Sequence, residues 1–401
     1  MRVLQINVVC GHGSTGKIAV DIANMLKANG DEAYIAYGQG DSAYPESYRI
    51  YNSMTQMRVN VHFFSRLMGM TDRGSILQTR KFLKWVDEIK PDIIHLHNIH
   101  GQYINYEMLF RYIIKHKIPV VWTMHDCWSM TGGCKHFSTV GCDKWKNICE
   151  HCTHHAAYAP IHSIFPGVKK SYNLKKKLFT SVSDITLVPV SHWLEGLARQ
   201  SFFKEKCIHC IHNGIDLDIF YPRDYAELRS RLGIAPEKKI LLGVSSGWSD
   251  AKGLQEMIRL SENHKYQVIL IGVQQGLQLP ESIIAIHRTY DQNELAQYYA
   301  MADLFVNPTY NDTLPTVNIE ALACGTPVVT YNSDGSPEIL TGDTGIVVER
   351  GDYEALAAAV TKALEQPFAP ATCVNRAKTD FNKQERYRDY IELYKEICSQ
   401  K

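Results

Sequence analysis

The chain has 401 residues, 45% of them apolar, enough for two domains of ordinary size with packed cores. No apolar run approaches the roughly 18 residues of a membrane span, and the chain opens directly on a strand behind one Arg, which argues against a signal peptide. The net charge of +1 is unevenly spread: residues 1–200 hold 23 Lys and Arg against 15 Asp and Glu, and the remainder holds 20 against 27. A basic first half suits an anionic surface or substrate, with chance surface charge as the plain alternative. Eleven cysteines in an unexported chain favour free thiols or metal ligands over disulfides.

Val3–Val9 reads as the first strand, followed by a glycine-rich loop and a helix through about Asn29. Gly11, Gly13 and Gly16 spell a dinucleotide fingerprint, and Gly11, Gly16 and Lys17 spell most of a P-loop. The P-loop reading fails because Ile18 stands where Ser or Thr would hold magnesium. The dinucleotide reading fails because the second strand, Glu32–Tyr37, ends without an acid for ribose. Gly13, Ser14 and Gly16 still form a loop at a helix N-terminus that attracts phosphate or sugar oxygens.

Arg58–Met70 is expected to be an amphipathic helix, either packed on the core or touching membrane or acceptor lipid. The strand around Ile93 and Ile94 leads to His97, and the strand Ile118–Met124 leads to His125. Cys127–His155 is an insertion dense in Cys, His and Trp. Within it Cys149 and Cys152 have the spacing of a metal knuckle, and Cys134 and Cys142 complete the thiolates of a closed zinc site. Unligated thiols and disulfides are the competing states. Lys169, Lys170, Lys175, Lys176 and Lys177 then lie on one helix, either as a solvated face or as a contact for anionic lipid. Ile185–Val190 closes the first half.

The second half repeats the α/β rhythm. A strand from Lys239 to Ser245 leads to a loop carrying Gly247 and Lys252, and Arg288 follows the strand Ile283–His287. Asp291, with Glu294 three residues on, caps a helix. Asp312 and Glu320 stand eight positions apart, with Pro315 and Thr316 opening a helix between them. Gly325 ends that helix, Thr326–Thr330 is a buried strand, and a second helix starts near Pro337. Both acids are placed to face the crevice at the carboxyl ends of parallel strands.

The stretch from Asp312 to Pro327 closely resembles the motif of glycosyltransferase family 4, and especially the bacterial polysaccharide-biosynthesis enzymes. The pattern there is Glu, seven residues, Glu, then Ala-x-Ala-x-Gly-x-Pro-Val-Val. The resemblance spans nearly the whole chain, with Asn213-Gly214-Ile215-Asp216 at the interdomain link. It implies an α/β, GT-B fold: two Rossmann-like domains facing a cleft, residues 1–190 and 191–380, with 381–401 crossing back to the first. It implies that Glu320 holds the donor ribose, that Asp312 and His125 contact the donor sugar, with His97 beside it, and that Lys252 holds the diphosphate. Two positions depart from the pattern. The first acid is Asp, and Gly247 stands where Arg is expected, with Arg288 as the candidate replacement.

The expected activity is a retaining transfer of a hexose from a nucleoside-diphosphate sugar to a saccharide or lipid-linked saccharide, in cell-surface polysaccharide assembly. No carboxylate nucleophile is evident in the first-half motifs, which favours same-face substitution over two displacements. Lys252 and the helix start after Gly335 would carry the developing negative charge. No catalytic metal is expected. A nucleotide-sugar epimerase of the same fold and a non-catalytic nucleotide-sugar binding protein are the alternatives. No nucleic-acid partner is expected. The location expected is cytoplasmic, at or near the inner face of the cell membrane.

Overall fold

Residues 1–51, 72–152, 167–289 and 291–400 are described by the structure, a computed structural model of the chain. They divide into two compact units, Met1–Ile211 with Tyr387–Lys401, and His212–Arg386. The division lies at Ile211, so the helix His192–Gln200 belongs to the first unit, not to a second domain beginning at residue 191. The expected helix Arg58–Met70 lies outside the described residues.

The first unit holds β1 (Arg2–Val9), β2 (Glu32–Gln39), β3 (Ser47–Arg49), β4 (Ile93–Leu96), β5 (Val120–Met124), β6 (Ile185–Pro189) and β7 (Cys207–Ile208). They form one parallel sheet in the order β3-β2-β1-β4-β5-β6-β7. Val3, Leu4 and Ile6, from both faces of β1, are fully buried. Such a run of apolar residues without alternation is what a sheet covered on both sides demands. The helix Gly13–Ala28 supplies part of that cover with Ile18, Ile22, Ala23 and Leu26, spaced along one helical stripe.

The final helix, Lys383–Ser399, belongs to the first unit from Tyr387 onward. Tyr387, Tyr390, Ile391, Tyr394 and Ile397 recur at intervals of three and four and join the core cluster of Val3, Ile18 and Ile22. Two of its hydroxyls find buried partners there. Thr123 Oγ1 donates to the Tyr390 hydroxyl at 2.9 Å, and the Tyr394 hydroxyl meets His95 Nδ1 at 2.6 Å.

The second unit holds β8 (Lys239–Val244), β9 (Tyr266–Ile271), β10 (Ile283–Ile286), β11 (Leu304–Asn307), β12 (Val328–Tyr331) and β13 (Gly345–Val348). Its parallel sheet runs β10-β9-β8-β11-β12-β13. In each sheet the strand order reverses once, between β1 and β4 and between β8 and β11. Open α/β sheets bind ligands at that reversal, beyond the carboxyl ends of the strands. Among the described residues no helix is long and apolar enough to cross a membrane.

Two sequence expectations change in detail. The helix expected near Pro337 is only a four-residue 3-10 turn, Ser336–Ile339. Lys175 does not share the exposed face of its helix, Val168–Thr180. Its side chain is buried, whereas Lys169, Lys170, Lys176 and Lys177 are exposed. A further helix, Pro370–Asp380, was not anticipated; it opens on Pro370 at its first position.

Candidate functional site

In the second unit, the donor-motif residues come from the two strands at the sheet's reversal. Lys252 ends the 3-10 turn Asp250–Lys252 after β8, and Gly253 then turns the chain with φ 75°. A Cβ on Gly253 would lie 2.4 Å from Pro308 Cγ, so both conformation and space require glycine there. This close approach brings the β8 loop onto the β11 loop. Lys252 Nζ reaches Asp312 Oδ2 at 3.2 Å, Thr309 Oγ1 at 3.3 Å and the Asn311 carbonyl at 3.3 Å. Lys252 and Asp312, sixty positions apart in sequence, thus form one half-buried ion pair.

Pro315 is the N-cap of the helix Thr316–Ala323, one position earlier than expected, and Thr316 is its first residue. Glu320 lies on this helix, and its Oε2 accepts from the Tyr299 hydroxyl at 2.8 Å. Burial, then the Glu320 charge, pushes Tyr299 well above the usual tyrosine range, so Tyr299 stays a donor. The loop after β12 is tied to the same place: Gly335 N–H donates to the Asp312 carbonyl, and Ser333 Oγ to the Thr309 carbonyl. This overturns one expectation. The N–H groups of Gly335, Ser336 and Glu338 all donate within the protein, and Pro337 has none, so the start of this turn does not present a row of open donors. Gly247 leaves no side chain beside Lys252, and Arg288 is exposed after the edge strand β10, with β9 between it and β8.

In the first unit, the glycine loop follows β1. Gly13 and Ser14 are exposed at the helix start, and Gly16 is buried, where a Cβ would meet Val9 Cγ2 at 3.1 Å. Asn7 ties this loop to the next: its Nδ2 donates to Thr15 Oγ1, and its Oδ1 accepts from Asn98 N–H.

His97 and His125, from the ends of β4 and β5, are in direct contact, with His97 Nδ1 and His125 Nε2 3.1 Å apart. Their protons follow from Gln5. Its Nε2 donates to the Ala19 carbonyl, so its Oε1 accepts from His97 Nε2 at 2.9 Å. His97 Nδ1 is then an acceptor, His125 Nε2 the donor to it, and His125 Nδ1 an acceptor. Burial lowers His97 well below the usual histidine range and lowers His125 to about 4, so both rings are neutral at pH 7. His125 is therefore held neutral, with its proton on Nε2.

Beside it lies a pair that sequence reasoning missed. His100 Nε2 is 2.8 Å from Asp126 Oδ2, and Asp126 Oδ1 accepts from Trp128 N–H at 2.8 Å. Burial pushes the Asp126 carboxyl up, but His100 and the Trp128 amide more than offset it and hold it below the usual range. His97, His100, His125, Asp126 and Trp128 line one small recess. The only sequence signal for the pair was that His100 and Asp126 each follow a strand end within a few residues.

The four cysteines expected to bind zinc are all free, with Cys149 buried and Cys134, Cys142 and Cys152 half-buried. Burial pushes the Cys134 thiol up to about 12, and Cys152, Cys149 and Cys142 each add to the rise. Among the described residues no three of these sulfurs lie within 4.8 Å of one another.

Comparison with known proteins agrees with this layout. The family model described as Glycosyltransferase Family 4 matches residues 15–219, and that described as Glycosyl transferases group 1 matches residues 224–380. The protein named colanic acid biosynthesis glycosyl transferase WcaC, from Escherichia coli (strain K12), is 24% identical over 424 residues, covering 99% of this chain and 100% of that one. The N-acetyl-alpha-D-glucosaminyl L-malate synthase of Bacillus anthracis is 24% identical over 54% of this chain and 59% of its own. Among solved structures, sucrose-phosphate synthase from Thermosynechococcus elongatus superposes with a TM-score of 0.74 at 16% identity, covering 100% of both chains. Anabaena Alr3699/HepE, solved in complex with UDP, gives 0.67 at 17% identity, covering 99% of this chain and 100% of that one. Two parallel sheets each reversing once, full-length likeness to GT-B structures and a family model over half the chain lead to one assignment: this is a glycosyltransferase, and it belongs to glycosyltransferase family 4.

Proposed function

We propose that the chain is a retaining hexosyltransferase. It would move a sugar from a nucleoside-diphosphate donor to a saccharide or lipid-linked saccharide acceptor in cell-surface polysaccharide assembly. The observation that carries this reading is the contact of Lys252 with Asp312 at the reversal of the second sheet, with Glu320 on the helix that follows. A cation fixed beside one acid at a strand-end crevice, with a second acid on the helix that follows, suits a nucleoside diphosphate: ammonium for phosphate, carboxylate for ribose hydroxyls. A related structure points the same way, since Anabaena HepE was solved with UDP-glucose. The name of WcaC supports the polysaccharide assignment.

Lys252 would offset the charge that grows on the leaving diphosphate. When donor binds, Lys252 exchanges part of its contact with Asp312 for phosphate, and Asp312 is freed to accept from a sugar hydroxyl. In the first unit, the acceptor nitrogen of His125 would orient a sugar hydroxyl. Asp126 is a poor nucleophile, since both its oxygens already accept hydrogen bonds. Its engagement favours same-face substitution over a covalent glycosyl-enzyme. The exposed lysines on Val168–Thr180 would meet an anionic membrane face where a lipid-linked acceptor resides.

The test is a panel of UDP-, GDP- and ADP-sugars with saccharide and lipid-linked acceptors, reading the product's anomeric configuration by NMR. Retention is expected. An inverted product would refute the retaining mechanism. An epimer formed from donor alone, or tight donor binding with no product over the panel, would replace the transferase reading with one of its alternatives.

A further inference from the structure

We propose that His100, held by Asp126, is the base that takes the proton from the acceptor hydroxyl during transfer. The proposal rests on the transferase reading and adds a proton acceptor to it. His100 Nε2 lies 2.8 Å from Asp126 Oδ2, and the other carboxylate oxygen, Oδ1, accepts from Trp128 N–H at 2.8 Å. A carboxylate can only accept here, so the ring proton sits on Nε2 and a neutral His100 carries its lone pair on Nδ1. Among the described residues Nδ1 has no hydrogen-bond partner, and His100 lines the recess beside His125. A carboxylate that fixes the tautomer of a histidine and offsets the charge it gains equips that ring to act as a general base.

Three histidines line the recess, and their contacts differ. His97 meets Gln5 and His125, both neutral, whereas His100 has a carboxylate directly on its ring. Of these contacts, the one to Asp126 is the one that favours an imidazolium. Trp128 braces the pair. Its ring centre is 5.6 Å from that of His100, and Lys175 Nζ donates to its carbonyl at 2.8 Å and stands 3.4 Å over its ring. Lys175 is buried, with Asp72 and Asp126 as its main charge partners, and His136 also acts on Asp126. Formally two carboxylates outnumber one ammonium, so this cluster has a negative charge to spare, and a protonated His100 would match it.

A second, independent observation is the backbone that carries His100. Gly101 and Gln102 both have positive φ, 108° and 69°. For Gln102 that conformation is strained, and it persists only where the surroundings impose it. Buried Asp72 does so: its Oδ1 accepts from Gly101 N–H at 2.9 Å and from Gln102 N–H at 2.8 Å. Tyr103 closes the loop. Its hydroxyl donates to the Asn98 carbonyl, and a Cβ on Gly38 of β2 would fall 2.2 Å from its Cγ. One carboxylate thus holds the ring of His100 and another the backbone beside it, which is the fixed placement a reacting group needs.

In the step, the acceptor O–H bond breaks and its proton goes to His100 Nδ1, while the electron pair of the oxygen forms the bond to the anomeric carbon of the donor. The bond from that carbon to the diphosphate oxygen breaks, and its electron pair leaves on the diphosphate. The test uses the full chain with the same panel of UDP-, GDP- and ADP-sugars and saccharide and lipid-linked acceptors. His100→Gln should lower kcat by about a hundredfold or more with acceptor KM nearly unchanged, and added imidazole should restore part of the rate of His100→Ala. The kcat/KM of the parent should fall towards acid pH. That limb should vanish in His100→Gln and move to lower pH in Asp126→Asn, because losing the carboxylate disfavours the imidazolium. If the variants fail to fold, nitrogen NMR of the histidine-labelled parent decides: neutral His100 should carry its proton on Nε2, and a proton on Nδ1 would overturn the proposal. A His100→Gln enzyme with parental kcat and pH profile, whatever its KM, would overturn it and leave the transferase reading standing. A parent that transfers to no acceptor would overturn both.

Discussion

Lys252 touches three oxygens from the β11 loop, and only one of them is charged. The side chain is about a third exposed, so its pairing with Asp312 adds little to stability, and its placement is better understood as readiness for an anion. Lys252→Ala is expected to leave the melting temperature nearly unchanged and to lower kcat by about a hundredfold or more, with a smaller rise in donor KM. Steady-state kinetics with saturating acceptor check this; unchanged kcat would remove Lys252 from the chemistry. Glu320 differs, because a ribose makes the same hydrogen bonds in ground and transition states. Glu320→Ala should weaken nucleotide binding by roughly 1.5–3 kcal/mol, seen by calorimetry, while Tyr299→Phe should cost less because it spares the carboxylate. The histidines make a pH prediction. Burial lowers His95 to about 3 and His125 to about 4, and lowers His97 well below its usual value. The unfolded chain therefore binds more protons than the folded one between about pH 6.5 and pH 4, and stability must fall as pH falls through that window. Melting curves at pH 7.5, 6 and 5 should show the decline, and His97→Gln should make it shallower. A melting temperature that holds level to pH 5 would mean the rings are not neutral in the fold.

At the scale of elements, the helix Val168–Thr180 separates two roles that the sequence presents as one charge run. Lys169, Lys170, Lys176 and Lys177 are exposed, and Lys175 points inward. Replacing the four exposed lysines by Glu should reduce binding to anionic vesicles while the protein stays folded, and binding of the parent should fall with salt. Lys175→Glu alone should instead destabilise the first unit, since it sets a carboxylate against two carbonyls. Vesicle sedimentation and circular dichroism distinguish the two. Equal binding to neutral and anionic vesicles would end the membrane reading. Elements were legible wherever a local rule settles them. The strand Tyr266–Ile271 is an uninterrupted apolar run after Tyr266 and Gln267, and Asp291 does cap its helix, accepting from Asn293 N–H. The acid at 312 and the lysine at 252 could be named from their motifs, but their contact could not. It depends on Gly253 passing close to Pro308, a distance in space that no local pattern encodes. Gln5, Asn7 and His100 were missed for a related reason. Each lies in or just after a strand where the apolar pattern hides it, and its role appears only when neighbouring strands pair. The turn at Pro337 was misread because Pro at a first position suits both a helix and a 3-10 turn, and only length separates them.

For the whole molecule, the two units carry different charges and different candidate residues, and so should respond differently to ligand. The residues proposed to bind nucleotide, Lys252, Asp312 and Glu320, lie wholly within His212–Arg386. Anything that binds only the folded form stabilises it by RT ln(1 + [L]/Kd), about 2.7 kcal/mol at a hundred times Kd. For a unit of this size that is roughly 5–10 °C in melting temperature. A panel of UDP, GDP and ADP at equal concentration should therefore raise a melting transition for one base more than for the others, and Glu320→Ala should abolish the shift. Hydrogen exchange then says where the energy goes. Protection should rise at 245–252 and 309–320, the loops and helix that carry the three residues, because ligand closes local openings nearest its site first. Nucleotide-dependent protection confined to Met1–Ile211, with 309–320 unchanged, would mean that the donor motif is not where the nucleotide binds.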